Sequence, residues 1–231
     1  EYRALEADPS RLDEWWHRIH SWQERYPLSY TDSTDSEIKP QYMVQALYEA
    51  TGGEAIVCSD VGQHQMWAAQ YYHFPQPRRW INSGGLGTMG FGLPAAMGAK
   101  VGCPDAQVVC ISGDGSVQMN MQELATCAQE GIGVKVFIMN NGYLGMVRQW
   151  QELFWDRRYS AVDMGSHPDF VKLADAYGAT GLRFTDKGTL VDDMREALAV
   201  EGPVLVDVRV TAEENVYPMI SPGQAARDMV G

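Results

Sequence analysis

The chain has 231 residues, of which 45% are hydrophobic and 21% are charged, and its formal net charge at pH 7 is −12. This composition is typical of a globular protein and argues against disorder. The acidic balance argues against a nucleic-acid partner, because phosphate backbones are bound by clusters of lysine and arginine. The sequence has no run of about 18 apolar residues, so we expect no transmembrane helix and no membrane partner.

The amino-terminal region predicts a helical segment that follows a preceding domain. The chain starts without an initiator methionine and without the basic and apolar regions of a signal peptide, so we expect it to be part of a longer protein. Residues 11–25 predict a helix whose tryptophan face packs on the main domain. That face consists of Leu12, Trp15, Trp16, Ile19 and Trp22. Residues 30–37 are polar and turn-rich, and they predict a linker between a segment at 1–36 and a domain at 37–231.

Short apolar strands alternate with helices through the rest of the chain. The predicted helices cover residues 40–50, 65–72, 94–101, 116–129, 143–154, 170–177 and 190–200. The predicted strands cover residues 55–59, 107–112, 134–139, 181–184 and 203–210. Because the strands are nearly all apolar, this alternation predicts an α/β fold: a parallel sheet with helices on both faces. Ligands of such sheets bind beyond the carboxyl ends of the strands.

The cysteines favour free thiols over a metal site. Cys58, Cys103, Cys110 and Cys127 contain no C-x-x-C pair, which argues against zinc. Cys58 and Cys110 lie in apolar, strand-like runs, where a thiol packs as a small hydrophobic group. Free thiols are typical of a reducing compartment, so we expect a cytoplasmic protein.

A glycine-rich turn follows the predicted strand at residues 107–112. The turn consists of Gly113, Asp114 and Gly115, and a predicted helix begins at Ser116. Glycines permit a tight turn and a close approach of the backbone to a ligand. The free N–H groups of a helix start bind phosphate oxygens, and the Asp114 carboxylate is the type of ligand that a hard cation prefers.

A second polar turn, Asn140-Asn141-Gly142-Tyr143, follows the next predicted strand. Strand, helix and strand form a right-handed crossover, so the two strands are parallel and both turns lie at the same edge of the sheet. Asp114 and the asparagine pair are then within reach of one ion, although only one asparagine is expected to bind it, since adjacent strand residues point to opposite sides. A magnesium ion at this point supplies the positive charge that an acidic protein needs to bind an anion. Each turn alone is an ordinary loop, and only the combination at two strand ends favours a functional site.

A competing motif lies upstream. Gly85, Gly87 and Gly90 form a G-x-G-x-x-G pattern, which is typical of dinucleotide binding. The preceding run at residues 80–82 is short, and Asp105 lies in a loop-like stretch rather than at a strand end. We therefore reject this pattern as the main site and keep a nicotinamide-dependent oxidoreductase as an alternative.

The two turns together resemble the cofactor motif of thiamine-diphosphate enzymes, in which GDGS is followed, after a helix and a strand, by NN. Three further segments resemble the catalytic subunits of acetolactate synthase (acetohydroxyacid synthase): VGQHQMWAAQ at 61–70, SGGLGTMGFGLPAA at 83–96 and GMVRQWQ at 145–151. The resemblance runs from residue 15 to residue 229 and covers the last third of a typical family subunit. It implies the thiamine-diphosphate-binding fold.

The resemblance implies that thiamine diphosphate binds through a magnesium ion. In the family, three groups bind the metal: the aspartate of GDG, the second asparagine and the backbone carbonyl two residues later. They correspond to Asp114, Asn141 and Tyr143 in this sequence. The implied cofactor-binding residues are Val61, Gly62, Gln63, His64, Gly87, Met89, Gly113, Asp114, Gly115, Ser116, Asn141, Tyr143, Leu144, Gly145, Met146 and Val147. Of these, Gly115, Ser116, Gln63 and His64 are expected at the diphosphate. Outside this setting, His64 would be interpreted as a surface histidine.

Two side chains carry implied catalytic, pocket-shaping roles. Met89 corresponds to the apolar residue that supports the bent cofactor near its aminopyrimidine, where Gly87 also lies, whereas the usual role of a methionine is core packing. Trp150 corresponds to the residue that shapes the pocket of the second substrate, whereas a helix tryptophan ordinarily packs on the sheet.

The resemblance also implies an activity that this chain does not complete alone. The family decarboxylates pyruvate and joins the two-carbon unit to pyruvate or 2-oxobutyrate in branched-chain amino-acid biosynthesis. The glutamate that activates the cofactor belongs to the amino-terminal domain of a partner subunit, and the central domain binds most of the FAD. Since both domains are missing, we expect this chain to fold but to be inactive. The resemblance further implies a homodimer, a small regulatory subunit and a carboxyl-terminal lid, residues 212–231, that is mobile without the partner domains.

Two other functions compete with this one. Another thiamine-diphosphate enzyme, of the glyoxylate carboligase or pyruvate oxidase type, would share the metal motif, but the GMVRQWQ segment favours acetolactate synthase. A non-catalytic binding or assembly module would keep the fold without the chemistry.

Overall fold

The computed structural model describes residues 8–32, 36–166 and 168–230. The chain divides into two compact units, which comprise residues 1–33 and 34–231. Part of the predicted linker, residues 33–35, lies outside the described residues, and its described flanks form neither helix nor strand. The boundary after residue 36 and the origin of the first segment in a preceding domain stay predictions.

The first unit contains the helix predicted from the tryptophan spacing. A 3-10 turn, Pro9–Leu12, leads into helix α1, Asp13–Arg25. The Asp8 carboxylate caps the turn by accepting a hydrogen bond from Ser10 N at 3.1 Å. Acidic residues begin α1 and a basic residue ends it, as the helix dipole favours. The packing of the tryptophan face on the second unit stays a prediction.

The second unit is built on one six-stranded parallel sheet. Its strands are β1 (Ile56–Ser59), β2 (Trp80–Asn82), β3 (Val108–Gly113), β4 (Lys135–Asn140), β5 (Thr180–Phe184) and β6 (Val204–Arg209). They lie in the order β2-β1-β3-β4-β6-β5, and every pair is parallel. All residues of β3 and β4 are buried, as expected for a parallel sheet covered on both faces. The predicted α/β fold is confirmed.

Helices cover both faces of this sheet. They are α2 (Pro40–Thr51), α3 (Gln63–Tyr71), α4 (Gly92–Gly102), α5 (Glu123–Glu130), α6 (Gly145–Phe154), α7 (Phe170–Ala176) and α8 (Leu190–Ala199). Helices α4, α5 and α7 share one core cluster with alternate strand residues such as Cys110 and Ile138. The intervening strand residues, such as Val109 and Phe137, are equally buried, and α3, which also contacts α2, contacts β1 and β3. Within the described part of the chain, no helix has the length and apolar character to cross a membrane.

Local sequence signals explain several helix ends. Pro40 occupies the first turn of α2, where the missing N–H removes no hydrogen bond. Gly52 ends α2 in the left-handed conformation, at φ 60°, and Gly131 ends α5 in the same way, at φ 65°. These signals are readable from the sequence, and the predicted end of α2 differs from the observed end by one residue.

The helix predicted at residues 116–129 is wrong in its first half. The chain forms a 3-10 turn, Val117–Met119, and α5 begins only at Glu123. Asn120 leaves the helical conformation, with φ −138° and ψ 23°, and its Nδ2 donates a 2.7 Å hydrogen bond to the Gly90 carbonyl. This contact with a distant loop overrides the local helical pattern. The N–H groups that follow Ser116 therefore belong to a 3-10 turn and not to the start of an α-helix.

The G-x-G-x-x-G segment lies between an edge strand, β2, and helix α4. Gly87 and Gly90 have positive φ values of 63° and 88°, which glycine adopts without strain. Asp105 lies in an exposed turn before β3 and not at the carboxyl end of a strand, where a dinucleotide site needs its acidic residue. The geometry agrees with the rejection of a dinucleotide site.

We predict that Gly181→Ala lowers the free energy of unfolding by about 1–3 kcal/mol. A Cβ on Gly181, in β5, would lie 2.5 Å from the Val171 carbonyl oxygen and 2.8 Å from Val171 Cα. These are backbone atoms of α7, so they cannot rotate away. Chemical denaturation measures the change.

Gly98→Ala, in α4, is the matched control. A Cβ there would meet no atom within 4 Å, and alanine favours a helix interior over glycine by about 1 kcal/mol. The control is therefore expected to be neutral or stabilising, and equal free energies of unfolding for the two variants would contradict the close packing of β5 on α7.

Candidate functional site

A pocket lies beyond the carboxyl ends of the three adjacent strands β1, β3 and β4. The space between its atoms, about 510 Å³, includes open solvent, so the pocket is accessible from outside. The chain leaves β1 for β2 on one side and then crosses to β3 on the other, so the pocket lies at a topological switch point. The lining residues are Val61, Gly62, Gln63, His64, Trp67, Met89, Gly113, Asp114, Gly115, Ser116, Met139, Asn141, Tyr143, Leu144, Gly145, Met146 and Val147.

The two polar turns meet at this pocket. Gly142 N donates a 3.0 Å hydrogen bond to Asp114 Oδ2, which joins the turn after β4 to the turn after β3. Asn141 Oδ1 accepts a 3.0 Å hydrogen bond from Tyr143 N, so the amide folds back over its own turn. Asp114 is 2% exposed. The Asp114 carboxylate and the Asn141 amide oxygen thus each accept a hydrogen bond from consecutive N–H groups of the same turn.

The two asparagines face different surroundings. Asn140 is buried in the sheet, and its Nδ2 donates a 2.7 Å hydrogen bond to Asp207 Oδ1 on β6. Asn141 lines the pocket. The two side chains thus point to different surroundings, as expected for adjacent strand residues, and the binding of an ion by Asn141 stays a prediction.

Glycines let the loops around the pocket approach each other closely. A Cβ on Gly113 would lie 2.8 Å from His64 Nδ1, and one on Gly145 would lie 2.8 Å from Asn141 Nδ2 and would overlap the Gln63 side chain. Any larger residue would displace pocket-lining groups, so these glycines are required by packing.

His64 is a buried residue of the pocket and not a surface histidine. It is 6% exposed, and burial lowers its pKa to about 4, although the Asp60 charge and a backbone hydrogen bond at Asp60 raise it. The imidazole is therefore neutral at physiological pH. Its Nε2 is buried and has no hydrogen-bond partner among the described residues. A ligand in the pocket is the natural partner for such an atom.

Asp60, directly after β1, joins two of the loops around the pocket to the end of β3. Its Oδ1 accepts hydrogen bonds from Val61 N at 2.9 Å and Gly90 N at 2.7 Å, and its Oδ2 accepts one from Ser112 Oγ at 3.0 Å. Asn120 holds the Gly90 carbonyl from the other side. Both the N–H and the carbonyl of Gly90 are therefore bonded, which fixes the loop that carries Met89. Sequence reasoning missed Asp60, although an acidic residue at the end of the first strand was a usable signal.

Helix α6 binds part of the predicted carboxyl-terminal lid. Arg148 is fully buried and donates hydrogen bonds to Glu152 at 2.6 Å and to Asn215 at 2.5 Å. The Gln149 side chain pairs with the backbone of Val216, donating to its carbonyl at 2.9 Å and accepting from its N–H at 2.8 Å. The first part of residues 212–231 is thus bound to α6, and the mobility of this segment stays a prediction.

Gln63 connects this carboxyl-terminal segment to the pocket. Its Nε2 donates to Gln149 Oε1 at 2.8 Å and to the Glu214 carbonyl at 3.0 Å. Its Oε1 accepts a long hydrogen bond, 3.4 Å, from Asn141 Nδ2. One pocket-lining side chain therefore contacts both Asn141 and the backbone that follows β6.

The structure gathers every predicted cofactor-binding residue except Gly87 around the pocket. Met89 is partly buried at the pocket and is not a core residue. Trp150 is 41% exposed on α6 and lies outside the pocket lining. Trp67 and Met139 line the pocket but were not predicted, although Trp67 lies one helical turn after His64 on α3. The roles assigned to all these residues stay predictions.

The charge of the pocket favours an anion that binds together with a cation. Among the described lining residues there is no lysine or arginine, and Asp114 adds a negative charge. The described residues also contain no group of three or more histidine, cysteine, aspartate or glutamate side chains that could hold a metal. A carboxylate, an amide oxygen and a backbone carbonyl are hard donors that suit magnesium when phosphate oxygens complete the shell. This donor set, the glycine cradle and the unpaired His64 Nε2 fit a diphosphate with a divalent ion.

Comparison with known proteins identifies the family. The family described as "Thiamine pyrophosphate enzyme, C-terminal TPP binding domain" matches residues 60–208. The chain is 49% identical to acetolactate synthase of Mycobacterium leprae over 227 residues, and 49% identical to the acetolactate synthase large subunit of Haemophilus influenzae over 220 residues. It is also 49% identical to the acetolactate synthase isozyme 3 large subunit of Escherichia coli over 235 residues.

These alignments differ in how much of each protein they cover. They include 94%, 95% and 99% of this chain, but 36%, 38% and 41% of the three relatives, so the chain spans well under half of their length. The family match includes every residue that lines the pocket and more than half of the chain. The resemblance seen in the sequence motifs is confirmed, and the chain belongs to the thiamine pyrophosphate enzymes, of which it contains the C-terminal TPP-binding domain.

Proposed function

We propose that this chain binds thiamine diphosphate through a magnesium ion held by Asp114, Asn141 and the Tyr143 carbonyl. The observation that carries the proposal is the hydrogen bond from Gly142 N to Asp114 Oδ2, which joins the two turns in a pocket without a described cationic side chain. A carboxylate and an amide oxygen each accept more than one bond, so both can bind a cation in addition to the backbone N–H groups. Phosphate oxygens and water would complete the octahedral shell.

The other lining residues would bind and orient the organic part of the cofactor. Ser116 and Gln63 offer polar groups at the diphosphate end, and the neutral imidazole of His64 offers a hydrogen bond without adding charge. Met89 would support the bent cofactor beside its aminopyrimidine, with Gly87 in the same loop. Trp150 would shape the approach of the second substrate from the exposed side of α6. When bound, thiamine diphosphate supplies the carbanion chemistry, while these side chains hold it and exclude water.

We further propose that the chain acts as part of an acetolactate synthase catalytic subunit. The identities of 49% to three bacterial acetolactate synthases support this. The substrates would be pyruvate and either a second pyruvate or 2-oxobutyrate, in branched-chain amino-acid biosynthesis. The complete enzyme would be a homodimer that binds FAD mainly in its central domain and associates with a small regulatory subunit. The four free cysteines agree with a proposed cytoplasmic location.

The metal assignment is tested with Asp114→Asn. This variant keeps an oxygen that can accept from Gly142 N but removes the negative charge, so the apparent affinity for magnesium, measured by calorimetry at saturating thiamine diphosphate, is expected to fall at least about tenfold.

Asp105→Asn is the control, because Asp105 lies in an exposed turn away from the pocket and should leave binding unchanged. Unchanged magnesium affinity in Asp114→Asn, or thiamine diphosphate binding that persists in excess chelator, would overturn the proposal.

We expect the isolated 231-residue chain to bind the cofactor but not to consume pyruvate. The family resemblance assigns the activating glutamate to another domain, and the chain spans only 36–41% of its relatives. Pyruvate is measured over hours in the presence of thiamine diphosphate, magnesium and FAD. Consumption above that of a protein-free control would refute the expectation.

The buried His64 makes the stability of the domain sensitive to acid. Burial lowers its folded-state pKa to about 4, whereas the unfolded value is near 6.5, so the unfolded state binds the proton first as the pH falls. The contribution of His64 to the free energy of unfolding is fully present above about pH 6.5. It is lost progressively as the pH falls toward 4, and the total loss is on the order of 3 kcal/mol.

His64→Gln replaces the histidine with a side chain that does not titrate, so the free energy of unfolding should fall less steeply between pH 6.5 and pH 4. Free energies of unfolding are measured for both proteins between pH 7 and pH 4. The carboxylates of the fold titrate in both, so parallel curves would show that His64 is not responsible.

A further inference from the structure

Asp207 is a buried carboxylate in a strand that lines no part of the pocket. It lies on β6 and is 0% exposed. Its Oδ1 accepts the 2.7 Å hydrogen bond from Asn140 Nδ2. Its Oδ2 accepts from Arg183 Nε at 2.9 Å and is paired with the Arg209 guanidinium at 3.0 Å. Two partly exposed arginines therefore balance the charge, and one carboxylate oxygen is left to hold Asn140.

The hydrogen bond acts on the last residue of β4. The register pairs Ile138 with Asp207 and Asn140 with Arg209, so Asn140 and Asp207 lie diagonally on the same face of two neighbouring strands. Asn140 is 2% exposed, and its Oδ1 is buried without a hydrogen-bond partner among the described residues. The bond to Asp207 is therefore the contact that orients the Asn140 amide, and a charged acceptor makes it a strong one.

Asn140 is the last residue of β4 and directly precedes the turn that enters the pocket. Asn141 follows immediately and lies in the pocket, with its Oδ1 held over the turn by Tyr143 N. Gly142 N then reaches Asp114. A shift of the strand end at Asn140 would displace Asn141, which is bonded to it, and with it the hydrogen bond from Tyr143 N to Asn141 Oδ1 that holds the turn.

We infer that Asp207 is a positioning residue of the metal site, which acts from β6 through Asn140 on Asn141 and the Tyr143 carbonyl. The inference rests on the proposed function, since it concerns the same metal. Partners of metal ligands commonly change metal affinity by about 10- to 100-fold when they are removed. Asp207 acts one residue further away, and we expect a loss at the lower end of that range.

The test compares Asp207→Ala and Asn140→Ala with the unmodified 231-residue chain. Magnesium affinity is measured by calorimetry at saturating thiamine diphosphate, and circular dichroism confirms that each variant is folded at the working temperature. Both variants are expected to weaken magnesium binding by about tenfold. Asn140→Ala keeps the ion pairs of Asp207, so it tests the inference even where Asp207→Ala does not fold.

Asp169→Asn is the matched control. Asp169 Oδ1 accepts from Arg183 at 2.7 Å and from Val171 N at 3.1 Å, and the asparagine keeps an acceptor for Val171. The variant removes the other ion pair of Arg183 without touching Asn140, so magnesium affinity should not change.

A double-mutant cycle separates positioning from a general loss of stability. If Asp207 acts through the turn, Asp207→Ala should weaken magnesium binding by a smaller factor in an Asn141→Ala background, where one of the two positioned ligands is already gone. A general effect on the fold would add the same factor in both backgrounds, and that result would overturn the inference.

Unchanged magnesium affinity in Asn140→Ala, measured in a chain whose unmodified form binds thiamine diphosphate and magnesium, would also overturn the inference. Failure of the unmodified chain to bind magnesium with thiamine diphosphate would instead reject the proposed function, and the inference with it. The two failures are therefore distinguished by the first measurement.

Discussion

The candidate site depends on one hydrogen bond, from Gly142 N to Asp114 Oδ2. The bond can form because β3 and β4 are adjacent and parallel, so both strands end at the same edge and their turns follow in register. An antiparallel pair would have put the two turns at opposite edges of the sheet. The parallel crossover thus brings the loops after β3 and β4 together, so that their oxygen atoms lie in one pocket.

The walls of the pocket are held mainly by buried polar side chains. Asp60 joins the loops after β1 and β2 to the end of β3, Asn120 grips the second of these loops through Gly90, and Asp207 holds the end of β4. Each of these bonds gives a partner to a donor or acceptor that water cannot reach. Leaving such a group unpaired would cost free energy. A site that binds a charged ligand in a fixed geometry needs such rigidity, because small displacements of a ligand shell weaken it.

The carboxyl-terminal segment is part of the same construction. Arg148 and Gln149 on α6 face inward and bind Asn215 and Val216, while the other side of α6 exposes Trp150. A helix that buries an arginine and a glutamine and exposes a tryptophan is the reverse of an ordinary amphipathic surface helix. The physical reason is the segment after β6, whose backbone groups need buried partners, and Gln63 joins that segment to Asn141.

The sequence by itself determined the fold class, most helix and strand positions, the meeting of the GDG and NNG turns and nearly all of the pocket lining. The fold, the element positions and the meeting of the turns follow from local patterns: apolar runs, glycine turns and the direction of a crossover. The pocket lining follows from the family resemblance of the sequence motifs. Only the tertiary structure decided that the helix predicted at residues 116–129 begins at Glu123, after a 3-10 turn and Asn120, and that Asn140 bonds to Asp207. It also decided that Trp150 is exposed, that Trp67 lines the pocket and that Asp60 joins the loops around it. Each of these results depends on a partner far away in the chain, such as Gly90 for Asn120 and β6 for Asn140, and a local pattern carries no record of such partners.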